Sequence, residues 1–506
     1  MCLVKTQGYL GIDVGTQGLS VIATDDAMRI VAAGEAGYGM VAGLAEGCFE
    51  QSPVDWERGL AAAMAELRGK LARGGVDMEV RAVGISGQMH GEVLVGDTCE
   101  PVCPARLWCD ARNEAEGAEL TGLFGVKVPK RMTVARWLWT IRNRPGQAAL
   151  TARLVTPAGW IAHRLTGGFA IGIGDASGMF PIDPGSLRYD GRLLAAFDAL
   201  AARGAGPRVR PLADLLPEIR RAGEDGGQLD ARGAGLLGLP AGWSPSAAAG
   251  TVSMSFGTSV VANSVGDRGF EGVDRAIDHF CAPDGKPINM VWLRNGTTAM
   301  NTVVEMFGRV NGAGRDGAFE AVMPQLLAAT DDCGGLAALP FMEDEPGAGV
   351  ARGGTALVIG LNDSNATPGN LAKAMLLATI WNLRMGSAQL DAQGFPRHEI
   401  VLSGGITRTP QLGQLVADAF NTPVVILAAA TEGTAWGAAL LAKFRAARLG
   451  GDESTWETFL AGHAAAAPRR FSPRAHAVAE LERGYARHRR LMAVHGPLAA
   501  AVGAPA

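Results

Sequence analysis

A carboxylate, a hydroxyl and an amide lie close together near the start of the chain, around a glycine-rich turn. The apolar run Tyr9–Ile12 leads into Asp13 and then into Gly15–Gly18, which contains Thr16 and Gln17, and a second apolar run follows at once. A glycine-rich turn between two strands exposes backbone N–H groups that can hold phosphate oxygens. We therefore predict a phosphate-binding turn here; the alternative is an ordinary hairpin turn capped by Asp13.

A related unit returns in the second half of the chain. Residues 251–264, TVSMSFGTSVVANS, place Gly257 and Thr258 at the turn between two apolar runs. A single turn of this kind is weak evidence, because most such turns close ordinary hairpins. Two of them, one in each half of the chain, predict two related domains that close on one nucleotide.

The composition is typical of a globular protein with more than one domain. The 506 residues are too many for a single core, and 48% of them are hydrophobic. The net charge of −4 gives no reason to expect a nucleic-acid partner. The seven cysteines are scattered without metal-site spacing, so reduced thiols in a cytoplasmic protein are expected. We expect no signal peptide and no membrane span, and the sequence leaves a homodimer open.

Strands that alternate with helices favour an α/β fold. The predicted helices are 53–73, 131–146, 148–166, 298–309, 370–391, 409–420, 433–448 and 474–493, and the predicted strands include 81–86, 288–293, 399–402 and 423–427. We expect an N-terminal domain over residues 1–245, a C-terminal domain over 246–450 and a helical tail over 451–506. The basic helix of the tail is expected to be a solvated cap.

Several short motifs occur in a fixed order between residues 8 and 445. They are Asp13–Gly18, SGQMHG at Ser86–Gly91, LWCDAR at Leu107–Arg112, MTVARWLW at Met132–Trp139, SFGTS at Ser255–Ser259, ALVIGL at Ala356–Leu361 leading to Asn370, LSGG at Leu402–Gly405, and Gly433–Ala439. In this order the chain resembles the FGGY family of carbohydrate kinases, and most closely its xylulokinase-like branch. The resemblance implies an α/β, two-domain actin-like ATPase fold of the ribonuclease H-like type, with duplicated domains and the active site in the cleft between them.

The resemblance also implies roles for the two turns. Asp13 would hold Mg²⁺ through water, which suits a cation that prefers few carboxylates and several waters. The γ-phosphate side of ATP would be contacted from both domains, by Thr16 and Gln17 in the first and by Gly257 and Thr258 in the second. Gly404 and Gly405 would let the backbone approach the adenosine, and a plain strand-to-helix turn is their alternative.

The same resemblance assigns a sugar pocket. Gln88, Met89 and His90 would line it, with His90 bonding sugar hydroxyls and Met89 forming an adaptable apolar wall. Trp108 would cover the C–H face of the sugar and Asp110 would accept from its hydroxyls. A structural histidine and a core tryptophan are the alternatives for His90 and Trp108.

Three positions depart from the family pattern, and the third bears on catalysis. Arg136 stands where Lys is usual, and Leu377 stands where an acidic residue is usual. The family's catalytic base is an Asp in a Gly-Asp run just before the second turn, and there is no Asp between Pro240 and Thr251. General base catalysis contributes on the order of 10²–10⁴-fold to a rate, so this departure predicts a slow enzyme.

Three interpretations of the missing base stay open at this point. A shortened kinase with weak or no activity is favoured, and a pseudokinase that still binds sugar or nucleotide is the second. In the third, another carboxylate, Asp110 or Asp175, replaces the base.

The implied function is transfer of the ATP γ-phosphate to a ketopentose, first of all D-xylulose, with ATP, Mg²⁺ and a small sugar as ligands. An actin-like ATPase acting on proteins is disfavoured, because the sugar motifs would then have no role.

Overall fold

The computed structural model describes residues 4–203, 209–239, 246–249, 260–310, 312–395, 397–426, 433–463 and 468–501. The strands of the first half are β1 Val4–Val14, β2 Gly18–Asp25, β3 Ile30–Gly37, β4 Glu50–Gln51, β5 Val76–Gly87, β6 Val93–Val95, β7 Ala105–Arg106, β8 Arg153–Val155, β9 Ala170–Gly172, β10 Ile182–Asp183, β11 Arg188–Tyr189, β12 Glu218–Arg220 and β13 Ser246–Ala249. The helices of this half are α1 Pro53–Arg73, α2 Glu114–Phe124, α3 Thr133–Asn143, α4 Pro145–Leu150, α5 Pro157–Thr166, α6 Ile173–Met179, α7 Gly191–Ala201, α8 Leu212–Leu215 and α9 Ala231–Leu237.

The second half has fewer strands and longer helices. Its strands are β14 Val260–Val265, β15 Ile277–Cys281, β16 Pro287–Leu293, β17 Ala337–Leu339, β18 Leu357–Ile359, β19 Ile400–Leu402, β20 Val424–Ile426 and β21 Arg469–Phe471. Its helices are α10 Thr298–Val310, α11 Arg315–Ala328, α12 Pro368–Ala392, α13 Leu412–Phe420, α14 Gly433–Leu449, α15 Trp456–Gly462 and α16 Ala475–Ala501. None of the described helices combines the length and the apolar character that crossing a membrane requires.

A five-stranded mixed sheet forms the core of the first half, in the order β13-β5-β1-β2-β3. The central strand β1 runs antiparallel to β2 and parallel to β5, and this register places Asp13 opposite Ser20 and Ser86. The parallel pairing of β1 and β5 brings their carboxyl ends together. The turn after β1 and the Gln88–His90 segment after β5 therefore lie at the same edge of the sheet.

Helix α14 comes from the second half of the chain but packs on this first sheet, against β1 and β5. Two glycines make the close approach feasible. A Cβ added at Gly11 would lie 1.9 Å from the carbonyl oxygen of Ala435, and one at Gly84 would lie 1.8 Å from that of Ala438. The small residues of α14 therefore allow close packing, as predicted, and the chain returns to its first domain near its end.

The described part of the second half holds two three-stranded sheets besides the short pair β17-β18. One has the order β14-β16-β15 and the other β19-β20-β21. Strand β14 follows the Gly257–Thr258 turn as β2 follows the first turn, and the strand that would precede it falls at residues 251–256, outside the described residues. Strands β14 and β19 line a cavity of about 200 Å³ that also contacts the end of α12.

Two predicted elements differ from the structure. The single helix predicted over 148–166 is wrong, because α4 ends at Leu150 and strand β8 separates it from α5. Pro157 begins α5, since it lacks an N–H and has a fixed φ suited to a first helical position, and the Thr156 hydroxyl accepts from the N–H of Gly159. The tail is not entirely helical, because β21 pairs with the open edge of β20.

The basic helix of the tail, α16, is more than a solvated cap. One of its faces is buried, with Leu481 at 1% exposure and His488 at 1%. His488 Nε2 contacts Asn382 Oδ1 of α12 at 2.8 Å, and Arg487 donates to the carbonyl oxygens of Gly335 and Leu336. Helix α16 therefore fastens the tail to the second domain.

Candidate active-site cleft

Two carbonyl groups of the first turn accept hydrogen bonds from side chains elsewhere in the first domain. The carbonyl oxygen of Gly15 accepts from Tyr38 Oη at 2.6 Å, and that of Thr16 accepts from Gln51 Nε2 at 2.7 Å. Asp13 is half-buried at the end of β1. Its charge acts on Tyr38, because burial first and the charge of Asp13 second raise the pKa of Tyr38 above its usual value. Both carbonyl groups are therefore turned toward side chains of the first domain.

Gln88 joins this turn to the segment predicted to line the sugar pocket. Its Oε1 accepts from the Thr16 hydroxyl at 3.1 Å, and its Nε2 donates to Gln51 Oε1 at 3.0 Å. The N–H of Gln88 also donates to the carbonyl oxygen of Val14 at 2.8 Å. Gln88 was predicted as a sugar contact, and its described bonds hold the turn.

Trp108 contacts both halves of the chain. Its indole Nε1 donates to Thr16 Oγ1 at 3.1 Å, and its ring meets that of Trp292 on β16 edge to face, with centroids 6.4 Å apart. Met89 packs beside the same face of the β14-β16-β15 sheet, against Phe280 and Met290. The predicted sugar side chains therefore lie between the first sheet and β15–β16.

His90 is held in an unusual conformation. Its φ of 66° lies in the left-handed region, which is uncommon for a residue other than glycine. Arg136 Nη1 donates to its carbonyl oxygen at 2.7 Å, and the ring Nδ1 contacts the carbonyl oxygen of Gly178 at 3.0 Å. Such contacts offset the backbone strain, which typically costs about 1–3 kcal/mol.

The imidazole of His90 is neutral and has a defined tautomer. Burial first, and then the charges of Arg131 and Arg136, hold the pKa of His90 well below its usual value, although the bond to Gly178 acts the other way. Because a carbonyl oxygen only accepts, Nδ1 carries the proton. Nε2 therefore keeps its lone pair and can accept a hydrogen bond from a hydroxyl.

Helix α6 connects His90 to the second half. A Cβ added at Gly178 would lie 2.7 Å from His90 Nδ1, so the ring fits only against a glycine. The preceding residue, Ser177, accepts from the N–H of Cys281 at 3.0 Å. The ring of Phe280 lies 5.1 Å from that of His90. Strand β15 is thus attached to the helix that positions the histidine.

Asp110 is already engaged by the protein. It is fully buried and accepts from the N–H of Phe49 at 2.9 Å and from Arg112 Nη2 at 2.6 Å. Burial by itself would raise the pKa of Asp110, but the bonds from Arg112 and Phe49 outweigh it and lower the pKa. These contacts favour a structural role over the predicted sugar contact or stand-in base.

Asp175, the other candidate stand-in, lies on α6. Burial raises the pKa of Asp175 to about 6, and the hydrogen bond from the Thr156 hydroxyl acts in the opposite direction. That hydroxyl also caps α5. The described contacts of Asp175 therefore lie within the first domain.

A wide cleft of about 820 Å³ opens beside Gly405 in the second half. Gly404, with φ of 84°, needs the left-handed region that glycine enters freely. The opposite walls come from α10 and α11 and include Met300, Asn301 and Phe319. The volume lies in the range of small-molecule sites. Gly257 and Thr258 lie outside the described residues, and of the segment from Pro240 to Thr251 only the strand β13 is described.

Sequence reasoning missed several residues that lie around the predicted sugar side chains. Arg131 and Asp278 form a buried ion pair across the two halves, and Trp292 contacts both Arg131 and Trp108. Gly178 gave no signal, because its importance comes from a neighbour far away in the sequence. The alternating pattern of β16 could have indicated that Trp292 shares a face with Met290.

The glycine-rich turn at the edge of the first sheet and the wide cleft in the second half are the features expected of a two-domain nucleotide-dependent phosphotransferase. Family models for the N-terminal and C-terminal domains of the FGGY carbohydrate kinases match residues 8–256 and 252–446. The chain belongs to the FGGY family of carbohydrate kinases, which are ATP-dependent sugar kinases, as its motifs predicted.

Named relatives agree with this assignment. The chain is 30% identical to a xylulose kinase of Streptomyces coelicolor over 82% of this chain and 84% of that protein. It is 26% identical to a xylulose kinase of Haemophilus influenzae, over 83% and 87% of the two chains. The structure of a xylulose kinase from Rhodospirillum rubrum superposes with a TM-score of 0.79 at 22% identity, over 97% of this chain and 99% of that one. The predicted α/β two-domain fold is confirmed.

Proposed function

We propose that this protein transfers the γ-phosphate of ATP to the terminal hydroxyl of a ketopentose, with D-xylulose as the first candidate. The observation that carries the proposal is the hydrogen bonding of Thr16 to both Gln88 and Trp108. It joins the turn expected to hold phosphate directly to the side chains expected to hold sugar. Phosphoryl transfer depends mainly on such positioning of the two substrates.

Different residues of the cleft would bind the two ligands, ATP and the sugar. Thr16 and Gln17 would contact the γ-phosphate from the first domain, with Gly257 and Thr258 opposite, while the cleft beside Gly404–Gly405 would take the adenosine. Met89, His90 and Trp108 would hold the sugar, with His90 Nε2 accepting from a hydroxyl. Closure of the domains would exclude water and limit wasteful hydrolysis.

The chemistry of Asp13 fits a magnesium site. FGGY kinases use ATP with a divalent metal, usually Mg²⁺. Mg²⁺ prefers one or two carboxylates, several waters and phosphate oxygens, and among the described residues no group of three or more His, Cys, Asp and Glu side chains could hold a metal by themselves. Asp13 would hold the ion beside the turn, and the ion would supply charge neutralisation at the phosphates.

ADP release with MgATP, with and without D-xylulose, tests the proposal. We expect sugar-dependent release in the wild type. Asp13→Asn is expected to lower it on the order of 10²-fold, because a bound metal supplies several kcal/mol of charge stabilisation. Asp77→Asn is the matched control, because Asp77 is exposed on β5. Equal release with and without the sugar would overturn the proposal.

One alternative has an observation of its own. The Gly-Asp base of the family has no counterpart between Pro240 and Thr251, and Asp110 is held by Arg112. These two facts favour a protein that binds sugar and nucleotide without turnover. That function predicts no ADP release, together with a rise in melting temperature on adding D-xylulose or MgATP.

Location and assembly are also part of the proposal. We propose a cytoplasmic protein, because the six described cysteines are all free thiols, as reducing compartments keep them. A homodimer stays open, and light scattering of the purified protein distinguishes it from a monomer.

A further inference from the structure

We propose that Arg131 and Asp278 form the subsite for the hydroxyketone end of the sugar, where Arg131 Nε donates to the C2 carbonyl oxygen and Asp278 Oδ1 accepts from the C1 hydroxyl. This inference rests on the sugar-kinase function proposed above. It assigns a substrate class, an unmodified ketose, to two residues that neither the turn motifs nor the sugar motifs include.

The location of the pair is the first argument. The Arg131 guanidinium carbon lies 4.9 Å from the centre of the Trp292 ring, whose edge-to-face partner is Trp108. Asp278 precedes Phe280 by two residues on β15, so the two side chains share the face of the strand that meets His90. The pair therefore lies beside the predicted sugar residues, because Trp292 contacts both Arg131 and Trp108.

The second argument is a donor and an acceptor in this pair that no hydrogen bond satisfies. Arg131 is 8% exposed and Asp278 is 1% exposed, and one guanidinium–carboxylate contact joins them. Arg131 Nε and Asp278 Oδ1 are nevertheless buried without a hydrogen-bond partner. A buried polar atom left unsatisfied typically costs about 1–3 kcal/mol, so a group that fills both positions is expected.

Lys127 forms an ion pair with Asp278 but does not donate a hydrogen bond to it. Its Nζ lies 3.0 Å from Asp278 Oδ1, but the contact lacks hydrogen-bond geometry, and the ammonium donates to the carbonyl oxygen of Arg275 instead. Burial first, and then the charge of Arg131, lower the pKa of Lys127 to about 7. Oδ1 therefore remains available to a hydroxyl.

The chemistry of a ketose matches this arrangement. Its first two carbons carry a hydroxyl that donates and a carbonyl oxygen that accepts, on neighbouring atoms. The transferred phosphate would go to the other end of the sugar, near Thr16. A site that hydrogen-bonds a substrate hydroxyl discriminates strongly against an analogue without it, because its buried polar atom is then left unpaired.

The test compares D-xylulose with 1-deoxy-D-xylulose, which keeps the carbonyl and the phosphorylated end but lacks the C1 hydroxyl. We expect kcat/KM for D-xylulose to be about 10–100-fold higher in the wild type, the value of one hydrogen bond to a charged group. Asp278→Asn should bring the ratio close to one. Arg131 can only donate, so the amide oxygen faces Arg131 and the amide NH2 group takes the place of Oδ1, where it cannot accept from the C1 hydroxyl. The exposed Asp267→Asn is the matched control and should keep the wild-type ratio.

Arg131→Lys gives a separate signature. It keeps the charge beside Asp278 but removes the Nε donor, so kcat/KM should fall for both sugars while their ratio is kept. If the wild type shows no turnover with any sugar, the proposed function fails, and the same ratio is measured as dissociation constants by calorimetry. A ratio near one in the wild type, as expected if a bound water fills the pair, or a ratio unchanged by Asp278→Asn, overturns the inference.

Discussion

The indole N–H of Trp108 donates to the hydroxyl of Thr16 across 3.1 Å, between residues 92 positions apart in the sequence. This contact joins the turn after β1 to the loop that presents the predicted sugar residues. A substitution at either residue should therefore change the KM for both ATP and the sugar.

Trp108→Phe removes the indole N–H and keeps an aromatic face. We expect a fall in kcat/KM of about 2–10-fold, the value of one neutral hydrogen bond, with the KM for both ATP and sugar affected. Steady-state kinetics on both substrates measures this. Trp436→Phe is the control, because the indole N–H of Trp436 on α14 donates to the carbonyl oxygen of Met28 between β2 and β3. The kinetics of this variant should match those of the wild type. A change in the sugar KM alone would mean that Trp108 does not act through Thr16.

Gly178→Ala tests the positioning of His90. The added Cβ would lie 2.7 Å from His90 Nδ1, so the ring must move and its bond to the Gly178 carbonyl must weaken. We expect the sugar KM to rise about 10-fold or more, as for loss of a hydrogen bond with added strain, and the ATP KM to stay the same. Gly122→Ala on α2 has open space around its Cβ and should leave both constants unchanged. An unaltered sugar KM in Gly178→Ala would contradict the role given to His90.

Arg136 holds the left-handed backbone of His90 through its carbonyl oxygen. Lys at this position keeps a charged donor, and kinetics should stay within about threefold of the wild type. Arg136→Met leaves the carbonyl without this donor, at a cost of about 1–3 kcal/mol, and should weaken sugar binding and lower the melting temperature together. Calorimetry and thermal unfolding measure the two effects. Equal behaviour of the Lys and Met variants would show that Arg136 does not position His90.

His488 should make the tail sensitive to acid. Burial lowers the pKa of His488 to about 4, despite an opposing backbone hydrogen bond, whereas an unfolded histidine titrates near 6.5. Between these two pKa values the unfolded chain binds a proton at this histidine and the folded chain does not. The contribution of His488 to the free energy of unfolding is therefore fully present above about pH 6.5 and is lost as the pH falls toward 4. From pH 7 to pH 5 this histidine alone accounts for up to about 2 kcal/mol.

Urea unfolding of the wild type and His488→Gln at the two pH values measures this effect. The glutamine keeps a donor toward Asn382 and does not titrate, so its loss of stability between pH 7 and pH 5 should be smaller than that of the wild type. An equal loss in both proteins would assign the acid sensitivity to other groups.

The sequence could predict elements and motifs better than their contacts. The periodicity of 53–73 predicted α1 with its bounds, because Pro53 and the apolar spacing act locally. The helix predicted over 148–166 failed because the apolar content of β8 fits either structure. The packing of α14 on the first sheet and the pairing of Arg131 with Asp278 depend on tertiary contacts, which no local pattern contains.

Phosphorus NMR of the products tests the central claim most directly. The purified protein is incubated with MgATP and D-xylulose, and the fate of the γ-phosphate is followed. We predict a growing sugar phosphate monoester signal in step with ADP, absent when the sugar is left out. Inorganic phosphate with no ester would instead identify an ATPase and contradict the assignment of a sugar kinase to this chain.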